Sequence, residues 1–208
     1  MSLEELIVTT FGFWSRQRPE QQLTNVAGTN LGPEDLRLGS FQRIAGTEFL
    51  YAELGSSSKH IASGPRGALG SARNLLFFNV NTKKAHWLLP DNGQTIESFS
   101  FLTDPPEARY AYWNYETQKR DETTIALLLE LQPDAPSSEE ASRTLAIAPP
   151  DGRSVTLIAA STEGLLGHHQ PNKESVLVFY VSEGAARVLD VDTDTREVRS
   201  DSVFEEEY

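Results

Sequence analysis

Cysteine is absent from this chain of 208 residues. That absence removes disulfides, thiolate zinc sites and cysteine nucleophiles. It does not choose a compartment, because an oxidising location permits disulfides without requiring them. Long hydrophobic runs are missing too. No apolar stretch approaches the roughly 18 residues that a membrane-spanning helix needs, and the longest candidate, Thr124 to Leu131, is the size of a strand. Basic residues are in deficit: 18 Lys and Arg stand against 30 Asp and Glu, a net charge of −12. Such a balance repels phosphate backbones, so nucleic acid is not an expected partner. The opening MSLEELIVTTFGFW has neither the basic nor the continuous apolar region of a signal peptide. Met-Ser-Leu also fits a sequence trimmed upstream, which leaves a bacterial periplasmic or cell-envelope location open beside a cytoplasmic one.

Helical periodicity is the last deficit. Only GPEDLRL (32–38) and PSSEEASR (136–143) read as single helical turns. Short strands fill the remainder: 48–54, 74–80, 85–89, 97–102, 109–115, 124–131, 144–148, 154–160, 175–181 and 186–191. Each is rich in Val, Ile, Leu and aromatics and is bounded by turn formers such as Asp91-Asn92-Gly93 and Pro149-Pro150-Asp151-Gly152. The expected fold is therefore all-β, antiparallel, in a single domain over 1–208. Residues 1–40 are an N-terminal strand or irregular segment, 41–204 the repeated sheet units and 205–208 an acidic tail.

Two strands carry apolar side chains on both faces. In 74–80, Leu75 and Phe77 alternate with Leu76, Phe78 and Val80; in 175–181, Val176, Val178 and Tyr180 alternate with Leu177, Phe179 and Val181. A sheet with one wet face alternates apolar with polar, so these segments predict sheets stacked face to face. FNVNTKK (78–84), WNYETQK (113–119) and LDVDTDT (189–195) share an apolar-polar-apolar-polar-Thr pattern. With the turn at Asp151, the anchors Asn79, Asn114, Asp151 and Asp190 recur at 35, 37 and 39 residues (114 − 79, 151 − 114 and 190 − 151). This strand-turn-strand rhythm, over 45–204, resembles the hairpins of β-propeller repeat proteins. The resemblance implies a small propeller-like stack of sheets, although no Trp-Asp dipeptide is present and the period is shorter than the ~40–45 residues of WD40 repeats. A β-sandwich or barrel is the alternative that turn placement leaves open.

Candidate chemistry is sparse. The segment GSSSKHIASGPRGALGSAR (55–73) reads as a long loop, and its Lys59, His60, Arg66 and Arg73 form a basic set suited to an anionic ligand. Its glycines lack the Lys-Ser/Thr of a phosphate loop. Asp190, Asp192 and Asp194 occupy positions 1, 3 and 5 of a calcium-loop spacing, but position 6 is Thr195 rather than Gly and position 12 is Asp201 rather than Glu. An acidic hairpin in solvent is the simpler account, with a shallow calcium site as its rival; no other cofactor is implied. His168 and His169, in a loop between strands, would point in opposite directions along extended chain and so rarely share a metal. On 85–89, Trp87 is expected in the core and His86 on the opposite face. No G-x-S-x-G elbow is present. The primary expectation is a non-catalytic module that binds a protein or small-molecule ligand. The alternative is a hydrolase using loop carboxylates and a histidine.

Overall fold

The computed structural model describes residues 36–56, 72–104, 122–133 and 142–204. Thirteen strands and no helix occur among them. Three antiparallel sheets follow one another along the chain. The first holds β1 (Leu36–Leu38), β2 (Gln42–Arg43), β3 (Phe49–Ser56), β4 (Asn74–Asn79) and β5 (Lys84–Trp87). The second holds β6 (Gln94–Asp104), β7 (Thr123–Pro133), β8 (Arg143–Ala148) and β9 (Thr156–Thr162). The third holds β10 (Gly164–Asn172), β11 (Ser175–Ser182), β12 (Ala185–Asp192) and β13 (Val198–Val203). β1 and β2 both pair with β3, at Leu36↔Ser56 and Gln42↔Tyr51. They behave as one interrupted strand, so each sheet is in effect a four-stranded meander.

The sheets stack. One buried cluster joins Phe49, Tyr51, Leu75 and Phe77 of the first sheet to Phe99, Leu127, Leu129 and Leu131 of the second. Another joins Ala126, Leu128, Leu145 and Ile147 of the second to Val176, Val178, Tyr180 and Leu189 of the third. Alternation along β7 thus sends Leu127, Leu129 and Leu131 one way and Ala126 and Leu128 the other, both into apolar contact. The expectation of strands covered on both faces holds for this middle layer. Each fully buried leucine there is worth roughly 1.5–3 kcal/mol over an exposed one, so β7 anchors both interfaces. For the two strands singled out in the sequence the expectation needs correction. Phe77 is fully buried but Phe78 is half-exposed, packed edge-on to Phe41, and Leu177, Phe179 and Val181 are likewise half-exposed. These strands lie in outer layers.

Three further corrections concern boundaries. Leu36–Leu38, expected within a helical turn, extends along β3. Residues 164–172, expected as a loop, form β10, and the polar 198–203 form β13. Two of the repeated turns share one geometry, shifted by two residues at the last copy. Asn79 Oδ1 accepts the amides of Asn81 (3.0 Å) and Thr82 (2.8 Å), and Lys83 N donates to Asn79 O at 2.9 Å. Asp192 Oδ1 accepts those of Asp194 (2.9 Å) and Thr195 (2.8 Å), and Arg196 N donates to Asp192 O at 2.9 Å. Lys83 and Arg196 close both turns at φ of 59° and 63°. The equivalent of Asn79 is therefore Asp192, not Asp190. Together with Asp151, these residues mark the last hairpin of each sheet, 72 and 41 residues apart (151 − 79 and 192 − 151). Asn114 and the strand at 109–115 lie outside the described residues.

Candidate functional site

A cleft of about 590 Å³ opens where the first sheet meets the second. Its lining draws Trp87, Leu88, Leu89 and Pro90 from the end of β5 and the connection after it, Leu131 from β7, Thr144 from β8, and Arg153, Ser154, Val155 and Leu157 from the β8–β9 turn and β9. Gln94, at the start of β6, completes it. Two sets of contacts anchor the lining segments. On one side the side chain of Asn74, 2% exposed, binds the β5–β6 connection: Nδ2 donates to Leu89 O (3.0 Å) and Asn92 Oδ1 (3.1 Å), while Oδ1 accepts from Leu89 N (3.0 Å). A buried amide satisfied on both its donor and acceptor sides is costly to replace, because any apolar substitute strands the groups it served.

On the other side the β8–β9 turn is seated on the first sheet. Gly152 N donates to Pro149 O at 2.9 Å, and Gly152 adopts a φ of +67°. A β-carbon there would meet Phe77 Cε2 at 2.5 Å, so only glycine fits. His86 Nε2 lies 2.8 Å from Asp151 O, and its ring stacks on Phe77 with centroids 5.6 Å apart. The expected placement of this pair is thereby reversed: His86 meets the core, and Trp87 turns to the cleft, half-buried. Asp151 in turn holds Arg153, whose Nε is 3.3 Å from Asp151 Oδ2.

The lining is mainly apolar, with Leu157 at 65% exposure the most open hydrophobic side chain in the described structure. Thr144, Ser154, Gln94 and Arg153 supply polar groups. No histidine or carboxylate lines the cleft among the described residues. Groups with shifted protonation lie elsewhere. Burial, assisted by the charge of Glu53, raises the Tyr51 phenol to about 12, and burial raises the Glu53 carboxyl. Tyr51 Oη donates to Gln42 Oε1 (3.0 Å), and its ring packs on Phe99 and Phe101. In the third sheet burial raises Tyr180, whose hydroxyl contacts Asp201 beside Arg187.

None of the residues singled out in the sequence as ligand- or metal-binding lines this cleft among the described residues. Lys59, His60 and Arg66 lie outside the described residues. Arg73 precedes β4 and donates through Nη1 to Thr95 Oγ1 at 3.0 Å. Asp190 accepts from Ser175 Oγ at 2.6 Å. Asp192 organises its turn and pairs with Arg199; the Thr195 amide foremost, then Arg199, draw its carboxyl down to about 2. Asp194 is exposed. The Asp190 and Asp192 carboxylates serve different partners, and no group of three or more metal-ligating side chains occurs among the described residues. His168 and His169 pair across β11 with Val178 and Leu177, on opposite faces. The cleft itself escaped the sequence because its walls come from four separate segments. The signals present were Leu157 on a strand's outward side and Trp87 ahead of a Leu-Leu-Pro break.

No family model matches the sequence, and no curated protein matches it. A solved structure of a luciferin-regenerating enzyme aligns at 10% identity with a TM-score of 0.38, over 80% of this chain and 59% of that one. The chain therefore spans less than two thirds of that protein's length, and likeness at this level assigns neither activity nor ligand. No helix among the described residues is long and apolar enough to cross a membrane.

Proposed function

We propose that the protein is a non-catalytic binding module, built from propeller-like antiparallel units, whose cleft between Trp87 and Leu157 receives a small, largely apolar molecule. One observation carries the reading: a concave site of about 590 Å³, within the ~300–1,000 Å³ range of ligand pockets, lined by hydrophobic side chains with a few convergent polar groups. General acid–base chemistry asks for a titratable side chain within hydrogen-bond reach of the reacting atom. The lining offers Arg153, Thr144, Ser154 and Gln94 instead, while the strongly shifted Tyr51 belongs to the aromatic core. Clamping by Asn74 and Gly152 leaves the walls preformed, which lowers the ordering cost of binding.

Titration with N-phenyl-1-naphthylamine, a neutral probe that fluoresces in apolar surroundings, tests the reading. Saturable, one-to-one enhancement is expected, weakened about tenfold or more by Leu157→Glu, which places a charge on the apolar wall. Fluorescence that neither saturates nor responds to Leu157→Glu would overturn it.

A further inference from the structure

Resting on that reading, we infer that the natural ligand of the cleft is an amphipathic organic anion: a flat apolar body against Trp87 and Leu157, with a carboxylate or comparable oxyanion held at the rim by Arg153.

The charge of the cleft runs against that of the chain. The chain carries 30 acidic residues against 18 basic ones, yet the one formally charged side chain lining the cleft among the described residues is a cation. A random sample of this surface would favour a carboxylate. An anion approaching a molecule of net charge −12 meets repulsion at long range, so selectivity for one needs a local device. Arg153 has the form of such a device. Its Nε faces Asp151 Oδ2 at 3.3 Å, and its backbone N donates to Asp151 Oδ1 at 3.3 Å, so one carboxylate steadies both ends of the residue. Pairing through Nε leaves the donors of the two terminal amino groups for a second, planar acceptor, the geometry in which guanidinium outperforms ammonium.

Asp151 is itself fixed, because its carbonyl is tied to His86 and its turn rests on Phe77. Arg153 is therefore braced through a chain of contacts that begins in the core. The hydroxyls of Thr144 and Ser154 share the lining and suit the oxygens of a bound oxyanion. Since the Arg153 side chain is 70% exposed, solvent screens the contact, and its contribution is modest, about fivefold in affinity.

The test compares N-phenyl-1-naphthylamine with 8-anilinonaphthalene-1-sulfonate, which shares its ring system and adds a sulfonate. Wild-type protein is expected to bind the sulfonate about fivefold more tightly. Arg153→Gln should abolish that preference by weakening the sulfonate more than the neutral probe, and Arg153→Lys should retain part of it. Lys173→Gln, a distant exposed change, should leave both affinities as they were. Equal affinity for the two probes in wild-type protein, or a sulfonate preference that survives Arg153→Gln, overturns the inference and leaves the binding module standing. Failure of both probes to bind overturns the binding module as well.

Discussion

The seating of the β8–β9 turn on the first sheet can be tested with three glycines that share a backbone conformation but differ in surroundings. Gly184, Gly152 and Gly46 adopt φ of 71°, 67° and 68°. Alanine at each therefore incurs a similar left-handed penalty of about 1–2 kcal/mol. Around Gly184, in the β11–β12 hairpin, a β-carbon has nothing within 4 Å, so Gly184→Ala should cost that penalty alone. At Gly152 the new methyl would lie 2.5 Å from Phe77 Cε2, and Phe77, fully buried beneath the stacked His86 ring, has no space to retreat into. Overpacking of this kind adds about 1–3 kcal/mol, for a total of about 2–5. At Gly46 the methyl would lie 2.6 Å from the Thr123 backbone, which moves less readily than a ring, so its cost should equal or exceed that at Gly152.

Urea unfolding followed by tryptophan fluorescence measures the ordering. With a slope of about 2 kcal/mol/M, Gly184→Ala lowers the midpoint by about 0.5–1 M and Gly152→Ala by about 1–2.5 M. In a Phe77→Leu background Gly152→Ala should cost less than it does in the wild type, because the smaller side chain makes room. If Gly152→Ala proves as mild as Gly184→Ala, the turn does not rest on Phe77. The rigid wall assigned to the cleft then falls with it.

Other consequences follow from single contacts. Glu130, 6% exposed, accepts from Ser98 Oγ (3.0 Å), Arg143 Nη1 (2.9 Å) and Leu165 N (3.0 Å); Glu130→Ala should cost about 2–4 kcal/mol of unfolding free energy in urea, held below a fully buried pair by the exposure of Arg143. Because burial raises the Glu53 carboxyl above its value in the unfolded chain, the folded state holds its proton more tightly, and stability contributed there declines as pH rises from the ordinary carboxylate range through the raised value. Glu53→Gln should flatten that decline in a series of thermal melts, and an unchanged pH profile would refute the assignment. Asp192 behaves oppositely: its stabilising contribution is full above the ordinary carboxylate range and fades as pH falls toward about 2, so Asp192→Asn should flatten the acid limb of the same profile. Asn79→Ala removes two turn amide bonds from a buried side chain and should cost about 1–2 kcal/mol in urea.

How much of this architecture the sequence discloses depends on where each strand sits. β7 was legible as TIALLLEL because burial on both faces removes alternation and leaves an apolar run. β3, β4, β8, β11 and β12 were legible for a similar reason, each burying at least one face. β10 and β13 were not. All six residues of β13 are exposed, so Val-Arg-Ser-Asp-Ser-Val carries no pattern that burial would impose, and its strand state follows from pairing with β12. β10 contains Gly164, Gly167 and Pro171 and is interrupted by register shifts; irregular edge strands of this kind blunt edge-to-edge association and lose their local signal in doing so. The two-residue slip in the turn repeat has the same origin. Asp190 and Asp192 are the same residue type, each three positions ahead of a threonine, and only the bonds to the Asp194 and Thr195 amides show which one turns the chain.

The candidate site lies at the far end of this scale, because it is a property of the interface between layers and of no single element. Trp87 ends β5, Leu131 closes the buried run of β7, and Leu157 faces outward on β9, and each is explicable alone as an ordinary strand residue. Their meeting depends on Asn74 and Gly152, two small residues whose roles become visible when their partners are known. Asn74 opens NLLFFN, where it resembles a strand boundary, yet its amide ties down the connection that carries Trp87 to Pro90. Gly152 resembles any turn glycine, yet its missing β-carbon lets Phe77 support the loop bearing Arg153. A site built from stacking inherits the stiffness of the stack. The segments that line it cannot shift without breaking the Asn74 bonds or unseating the turn.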